Sequence, residues 1–215
     1  MKAKNADYVI KHIREIYKRY KIDSKLQRHM IYAAGVGAFI CDNWNGPKIS
    51  KKDIVATMLI HDLGNIVKYK NSDLRSKRVK QLKEQIMRQY GSNAHLATIN
   101  MAKELCLNNK IMSLLKTEVL SEANQQKAIK EKNWERLICL YADWRVTPKG
   151  VKSLKERFQD FRNRYKISKR QIARYFKNAQ KIEMLILTNA KIKPQEITQK
   201  SAENAIMKVL KDKSE

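Results

Sequence analysis

The sequence predicts an all-α fold, arranged as a helical bundle with a C-terminal helical extension. Apolar residues recur at three- and four-residue intervals along most of the chain, which is the spacing of helices that face a core. Six glycines and three prolines in 215 residues leave few points at which a helix must end. We expect one domain over 1–215, with a core at about 20–165 and an extension at 166–215 that could be an appendage.

Start and stop signals place the predicted helices in order. The first covers about 6–20, and the second, about 25–42, begins where Asp23-Ser24 can cap it. A third begins at Ser50 and ends at His61-Asp62, because Gly64 follows almost at once. The remaining predicted helices cover 73–90, Asn93 to Leu105, Asn108 toward Ala123, 131–146, 151–165, 168–190 and 195–211.

The composition predicts a folded protein, because 43% of the residues are apolar and 31% are charged. No apolar run approaches the roughly 20 residues of a membrane-spanning helix, and residues 1–7 lack the apolar middle of a signal peptide. Cys41, Cys106 and Cys139 have no Cys-x-x-Cys spacing, which favours buried thiols in a reducing compartment. We therefore expect a cytoplasmic protein without a membrane partner.

The chain is strongly basic, with 46 Lys and Arg against 21 Asp and Glu and a formal net charge of +25. Such a field favours anionic partners such as nucleotides, RNA, DNA or acidic membrane surfaces. The same composition also arises when lysines serve only solubility. Charge alone does not separate a phosphorylated metabolite from a polynucleotide.

Four polar side chains are set into apolar helical faces: His29, His61, Asp62 and Asp143. A carboxylate in a core costs several kcal/mol unless it is paired or bound to a metal. Two imidazoles and two carboxylates from three helices can hold one divalent cation, and this donor set suits Mn, Fe, Co, Ni, Zn or Mg without choosing among them. The alternative is a helical scaffold in which the four residues merely pair with each other.

The order of these residues resembles the HD-domain metal-dependent phosphohydrolase superfamily: His29 comes first, then His61-Asp62 followed by Leu63-Gly64, and then a distant Asp143. The likeness covers about 20–165, and the stretch 143–157 resembles uncharacterised bacterial members. The resemblance implies an HD-like helical bundle that hydrolyses phosphate monoesters or diesters, often of nucleotides. It also implies His29, His61, Asp62 and Asp143 as metal ligands, a metal-bound water as nucleophile, and Asp62 as the catalytic residue that orients this water or accepts its proton.

Departures from the family pattern leave the substrate open. Many members have a lysine where this chain has Asn65, so the phosphate contact is either missing or supplied by Lys68 or Lys70. Asn65-Ile66 also differs from the acidic pair of guanosine-tetraphosphate hydrolases, which argues against alarmone hydrolysis. We take Asn65, Lys68 and Arg145 as candidate phosphate-binding residues.

A second metal would need further ligands between the His-Asp pair and the last aspartate. His95 stands roughly where the first would be, and Glu118 or Thr117 stands at the second position. Otherwise His95 is a core or helix-start histidine.

Two basic segments follow the proposed ligands in sequence. Residues 145–174 hold eleven Lys or Arg against Glu156 and Asp160, and 68–88 follows the His-Asp pair. Phe158, Phe161 and Tyr165 lie there at helical spacing, which favours core residues over base stacking. Two functions fit: a metal-dependent phosphohydrolase acting on a nucleotide or related phosphorylated substrate, or a nucleic-acid-binding protein (RNA or single-stranded) whose site is vestigial or acts on RNA ends.

Overall fold

A computed structural model describes residues 3–69, 76–116, 122–147, 149–164 and 168–211, and it confirms the all-α fold class. The described residues form twelve α-helices and one two-stranded hairpin, with 3₁₀ turns at Asn65–Lys68 and Pro194–Glu196. The helices are α1 Ala6–Lys11, α2 Ile13–Arg19, α3 Ser24–Asp42, α4 Lys51–Ile60, α5 Lys77–Tyr90, α6 Ala94–Glu104, α7 Asn109–Leu115, α8 Glu122–Glu131, α9 Trp134–Trp144, α10 Leu154–Arg164, α11 Lys169–Ala190 and α12 Gln199–Lys211. The hairpin strands are β1 Val146–Thr147 and β2 Gly150–Val151.

The predicted capping residues begin their helices as expected. The Asp23 side chain accepts hydrogen bonds from the backbone N–H groups of Lys25 and Leu26 at the start of α3. The side chains of Ser50, Asn93 and Asn108 each accept a hydrogen bond from an N–H group in the first turn of α4, α6 and α7. These contacts satisfy donors that the first turn of a helix leaves without a partner.

Several predicted helices have different bounds in the structure, and α8 at Glu122–Glu131 was not predicted. The expected helix at 6–20 is divided at His12, whose φ of −106° and ψ of 20° lie outside the α region, so that α1 ends and α2 begins there. The expected helix at 131–146 ends at Trp144, because Val146–Thr147 pairs antiparallel with Gly150–Val151. The chain therefore enters a hairpin directly after α9. Parts of the helices predicted at 73–90 and from Asn108 toward Ala123 fall at 73–75 and 117–121, outside the described residues.

The core is built around α3, α4 and α9, which pack on one another. The most extensive helix pair is α3 with α12, and Gly35 allows the close approach, since a Cβ there would lie 2.4 Å from the Ala202 carbonyl oxygen. Helix α11 packs on α8, α9 and α10. The helices of the predicted extension thus contribute buried residues such as Ile182 and Ile206 to the same core.

A helix that crosses a membrane must be both long and apolar. Among the described helices, none is both long enough and apolar enough to cross a bilayer.

Candidate metal centre

His61 and Asp62 lie immediately beyond the end of α4, in a turn rather than within the helix. The seven residues 54–60 before them are all buried, so the helix anchors the turn firmly in the core. The backbone N–H of Asn65 donates to the Asp62 carbonyl oxygen at 2.9 Å and closes the turn. The polar pair is therefore held where a buried helix reaches the edge of the core.

Gly64 has a different role from the helix stop that the sequence suggested. Its φ of −82° is accessible to any residue, so it is not a left-handed helix cap. A Cβ at this position would lie 2.4 Å from the Ala94 carbonyl oxygen and 2.7 Å from the Thr98 backbone nitrogen. The Gly64 N–H also donates to the buried Thr98 hydroxyl at 2.9 Å. Gly64 thus allows α6 to pack directly against the turn that carries His61 and Asp62.

The structure brings the four predicted ligands together. His29 Nε2 lies 3.1 Å from Asp143 Oδ1 and 3.5 Å from Asp62 Oδ2. His61 Nε2 lies 3.5 Å from Asp143 Oδ1 and 3.7 Å from Asp62 Oδ2. The four side chains come from α3, the turn after α4, and the last turn of α9.

The cluster has the dimensions of a site for one cation. One ligand atom each from His29, His61 and Asp143 lie within 4.8 Å of one another. Ligands about 2.0–2.2 Å from a common ion are separated by distances of this order. The side chains of Asp62 and Asp143 are 21% and 25% exposed, so the cluster reaches the surface while His61 stays buried.

The His61 imidazole has a defined orientation. Its Nδ1 lies 2.8 Å from the Met58 carbonyl oxygen. Because a carbonyl only accepts, Nδ1 holds a proton, and Nε2 is the ring nitrogen that faces the two carboxylates and that would bind a cation placed between them. This orientation and the mixed nitrogen and oxygen donors fit a divalent metal ion.

The electrostatics of the cluster favour ionised carboxylates. Burial alone would raise the pKa of Asp143, but hydrogen bonds from His29 and His61 and the charge of Arg157 hold it well below its usual range. At Asp62, burial would likewise raise the pKa, but His61 and His29 lower it. Burial would lower the pKa of His29, but its contacts with Asp143 and Asp62 raise it.

Arg157 on α10 lies at the site, although the sequence marked it only as part of a basic segment and as the end of the stretch 143–157, with no role of its own. Its side chain is 7% exposed, and its Nη2 lies 3.8 Å from Asp143 Oδ1. Its Nη1 contacts Asp160 Oδ2 at 3.2 Å, and the guanidinium lies 4.2 Å from the centroid of the Phe161 ring. The usable signal is spacing, because Leu154, Phe158 and Phe161 place Arg157 on an apolar helix face.

Arg145 is in a structural environment rather than open to a substrate. It is buried, and its Nε donates to the Lys152 carbonyl oxygen at 2.5 Å. Its other donors reach the Tyr141 hydroxyl at 2.6 Å and the carbonyl oxygens of Pro194 and Ile197 at 3.1 and 3.0 Å. We correct the predicted phosphate contact at Arg145, because these bonds already use its guanidinium to tie α9 to the hairpin and the second 3₁₀ turn.

The other predicted phosphate-binding residues lie on the turn that leaves the cluster. Asn65 is half-buried and opens the first 3₁₀ turn, and Lys68 ends it as an exposed side chain. Lys70 lies outside the described residues. Their contact with a phosphate stays a prediction.

His95 is near the cluster but not part of it among the described residues, where the metal-competent group comprises His29, His61 and Asp143. Burial lowers the pKa of His95 and the Lys68 charge adds to this effect, while a hydrogen bond to the Lys116 backbone and the Asp62 charge oppose it. Glu118 and Thr117 lie outside the described residues. A second metal therefore stays a prediction.

The aromatic residues of the second basic segment belong to the core. Phe158 and Phe161 are buried, and Phe158 contacts the rings of Trp144 and Phe176. This confirms the core interpretation of both phenylalanines. Tyr165 lies outside the described residues.

The chain was compared with protein-family models, with curated proteins and with solved structures, and none of the three comparisons finds a match.

Proposed function

We propose that this chain is an HD-type metal-dependent phosphohydrolase, a phosphomonoesterase or phosphodiesterase acting on a nucleotide or a related phosphorylated substrate. The observation that carries the proposal is the convergence of His29, His61, Asp62 and Asp143. In each of the four histidine–aspartate pairs, the histidine Nε2 lies 3.1–3.7 Å from a carboxylate oxygen. The same four residues carry the HD-type sequence pattern. A chance arrangement of core histidines has no reason to reproduce both the pattern and the convergence.

The residues of the cluster have separable roles in this proposal. His29, His61, Asp62 and Asp143 would hold the cation, which when bound lowers the pKa of water and neutralises phosphate charge. Asp62 orients the attacking water and accepts its proton, since its carboxylate is at the cluster and partly exposed. Arg157 positions Asp143 through their 3.8 Å contact.

The decisive experiment measures metal content and turnover together. The purified chain is stripped with chelator and reloaded with Mn, Fe, Co, Ni, Zn or Mg, then assayed against generic phosphomonoesters, phosphodiesters and a nucleotide panel. We expect about one bound ion per chain and metal-dependent release of phosphate or nucleotide. His61→Ala and Asp62→Ala should abolish turnover while circular dichroism stays native.

His12→Ala is the matched control, because His12 lies between α1 and α2, outside the cluster. It should retain both metal and turnover. Wild-type protein that binds none of these ions, or that turns over no substrate with any of them, contradicts the proposal.

Nucleic-acid binding is a second candidate, favoured by the position of exposed cations on α5. Lys77, Arg78, Lys80 and Arg88 are exposed, while Ile86 and Tyr90 on the same helix are buried. Helix α5 packs on the 3₁₀ turn that follows Asp62. A single strand bound along α5 would place its phosphates near the cluster, so an activity on RNA ends satisfies both features.

We propose a cytoplasmic location, because Cys41, Cys106 and Cys139 are present as thiols, although Cys139 is buried as expected and the other two are half-buried. Thiols of this kind are usual in reducing compartments.

A further inference from the structure

A second concave feature lies at the opposite end of α9 from Asp143. A cavity of about 330 Å³, here called the α9 cavity, opens among α7, α8 and the start of α9. Among the residues that the structure describes, the polar ones that line it are Ser113, Lys116, Lys127, Glu131, Asn133 and Arg136. None of the four proposed metal ligands is among its lining residues.

The Arg136 side chain is the unusual group of the α9 cavity. Its side chain is 8% exposed, and its nearest carboxylate is Glu131, with Nη1 3.7 Å from Oε2. Its Nε is shielded from solvent and has no hydrogen-bond partner among the described residues. Buried polar groups are nearly always hydrogen-bonded, and a buried guanidinium is costly without acceptors. The guanidinium is therefore short of acceptors, and Nη1, which meets the Glu131 carboxylate at 3.7 Å, is the nitrogen that an anion in the cavity would contact.

The charge of the α9 cavity suits an anion. Lys116 and Lys127 are exposed, so the described lining residues carry three cations, with Arg136, and one carboxylate, that of Glu131. Asn133 is the N-cap of α9, and its side chain accepts from the Arg136 backbone N–H. The start of a helix carries partial positive charge, which adds to the field of the three cations.

Glu131 acts as an internal substitute for the anion. Its carboxylate lies 3.7 Å from both Lys127 Nζ and Arg136 Nη1, and its side chain is 45% exposed. A half-exposed side chain near the end of α8 can turn into solvent at little cost. A ligand anion can therefore take its place between the two cations.

We propose that the α9 cavity binds a small phosphate-bearing anion at a site separate from the metal centre. The volume is at the lower end of the roughly 300–1,000 Å³ of small-molecule sites, which suits a phosphate or pyrophosphate group with a small substituent. Asn133 and Asp143 are ten residues apart, or about 15 Å along the helix axis. The site goes beyond the proposed function, since it requires neither metal nor hydrolysis.

The test is calorimetric titration of pyrophosphate, and separately of inorganic phosphate, into the metal-free full chain at fixed ionic strength. We expect saturable binding with one site per chain. Lys116→Gln and Lys127→Gln should each weaken it about two- to fivefold, the effect of losing one exposed charge contact. Glu131→Gln should tighten it, because it removes the competing carboxylate.

Two controls locate the binding. Lys130→Gln removes an exposed charge from α8 that does not line the α9 cavity, and it should leave the affinity unchanged. Asp62→Ala should also bind normally, so this proposal and the proposed function fail independently. Arg136→Gln should lose binding more than tenfold, with circular dichroism as the check on its fold.

Absence of saturable binding by the wild type overturns the proposal. So does wild-type affinity in both Lys116→Gln and Lys127→Gln, or loss of binding in Asp62→Ala.

Discussion

Asp143 is surrounded by three basic side chains, His29, His61 and Arg157, and this environment defines the chemistry of the centre. His29 Nε2 is its closest partner at 3.1 Å, and Arg157 Nη2 contacts the same oxygen at 3.8 Å. An ionised carboxylate at this depth depends on all three. Residues that share one oxygen are coupled, so their substitutions should not be additive.

Arg157→Gln should destabilise the protein by about 2 kcal/mol, the order expected when a buried charged hydrogen-bonding partner is removed. The physical reason is that Asp143 and Asp160 both lose a cation. The measurement is urea unfolding followed by circular dichroism in metal-free buffer. Arg162→Gln, an exposed arginine on the same helix, is the control and should change stability little. Equal unfolding midpoints for the two variants would argue against a role for Arg157 at the site.

The residues of the candidate site were predictable to different degrees. His29, His61, Asp62 and Asp143 are polar in apolar contexts, which is a signal that one sequence carries on its own. Arg145 and Arg157 look alike in the sequence, yet the guanidinium of Arg145 is fully engaged with the protein and that of Arg157 faces Asp143. Only the helix packing distinguishes the roles of these two arginines, because the acceptors that each one contacts come from distant segments of the chain.

At the scale of the element, the contact between the His61-Asp62 turn and α6 is unusually close. Gly64 makes this possible, and its N–H bond to Thr98 fixes the distance. A side chain here has no room to move into, since the nearest atoms are backbone. The positions of His61 and Asp62 are therefore coupled to the position of α6.

Gly64→Ala should cost about 1–3 kcal/mol of stability, which is the usual cost of overpacking a close contact. It should also weaken metal binding, because the added methyl group displaces the turn that carries His61 and Asp62. Thermal unfolding and metal content measure the two effects. Gly37→Ala is the control, since its Cβ would first meet the Ile54 side chain at 3.0 Å, and a side chain can adjust. A Gly64→Ala protein with native stability and metal content would show that α6 does not constrain the turn.

Helix α10 begins with a reciprocal cap. The Ser153 hydroxyl accepts from the Glu156 N–H at 3.2 Å, and the Glu156 carboxylate accepts from the Ser153 N–H at 2.9 Å. The Ser153 N–H and hydroxyl both donate to the Glu156 carboxylate, at 2.9 and 2.8 Å, and these two bonds, with a smaller contribution from Lys152, lower the pKa of Glu156 from 4.5 to about 2. A lowered folded-state pKa means that the stabilisation is full above the unfolded value and is lost as the pH falls toward the folded value.

The Glu156 carboxylate should therefore contribute a pH-dependent part of stability between about pH 4.5 and 2. Glu156→Gln retains the cap geometry without the titrating group, so its stability should fall less over this window than that of the wild type. Denaturant unfolding at a series of pH values gives the difference. Parallel curves for the two proteins would mean that the cap is not formed in solution.

Some elements could not be predicted because their signals are too short. The strands β1 and β2 have two residues each, so no alternation is visible, and their pairing ends α9 earlier than its apolar pattern suggests. The break at His12 likewise leaves the apolar stripe of α1 and α2 intact. Periodicity indicates which residues are buried, but it does not reveal a single non-helical residue within an apolar stripe.

At the scale of the whole molecule, the net charge of +25 is the dominant feature. A long-range positive potential raises the rate of encounter with any phosphate-bearing partner. The basic helix α5 lies beside the turn that leaves the candidate metal centre, so the charge and the candidate site are on connected elements. Salt dependence separates a polyanion from a small ligand.

If the chain binds single-stranded RNA along α5, affinity should fall with salt at a log–log slope of about −0.7 per phosphate neutralised. Replacing Lys77, Arg78 and Lys80 with Gln should reduce the magnitude of the slope by about 2. The measurement is fluorescence anisotropy with labelled RNA between low and high salt. Replacing Lys200, Lys208 and Lys211, three exposed lysines of α12, is the matched control. Affinity that is independent of salt eliminates this second function.

The helical class of the fold followed from periodicity, but the partners of each helix did not. Nothing in the sequence pairs α3 with α12, because the contact depends on Gly35 meeting the Ala202 backbone rather than on a pattern. The packing of α11 and α12 on the core was likewise not visible from their amphipathic stripes. A stripe shows that a face is covered without showing which element covers it.

The pairing of α3 with α12 has a consequence for the timing of folding during synthesis. His29 is made early, but the helix that carries it has its largest contact with a segment about 160 residues further along the chain. Contacts of such long sequence separation form late, after the costly closure of the intervening loop. A nascent chain that stops before α12 should therefore expose the α3 face, a surface that chaperones recognise and that favours aggregation.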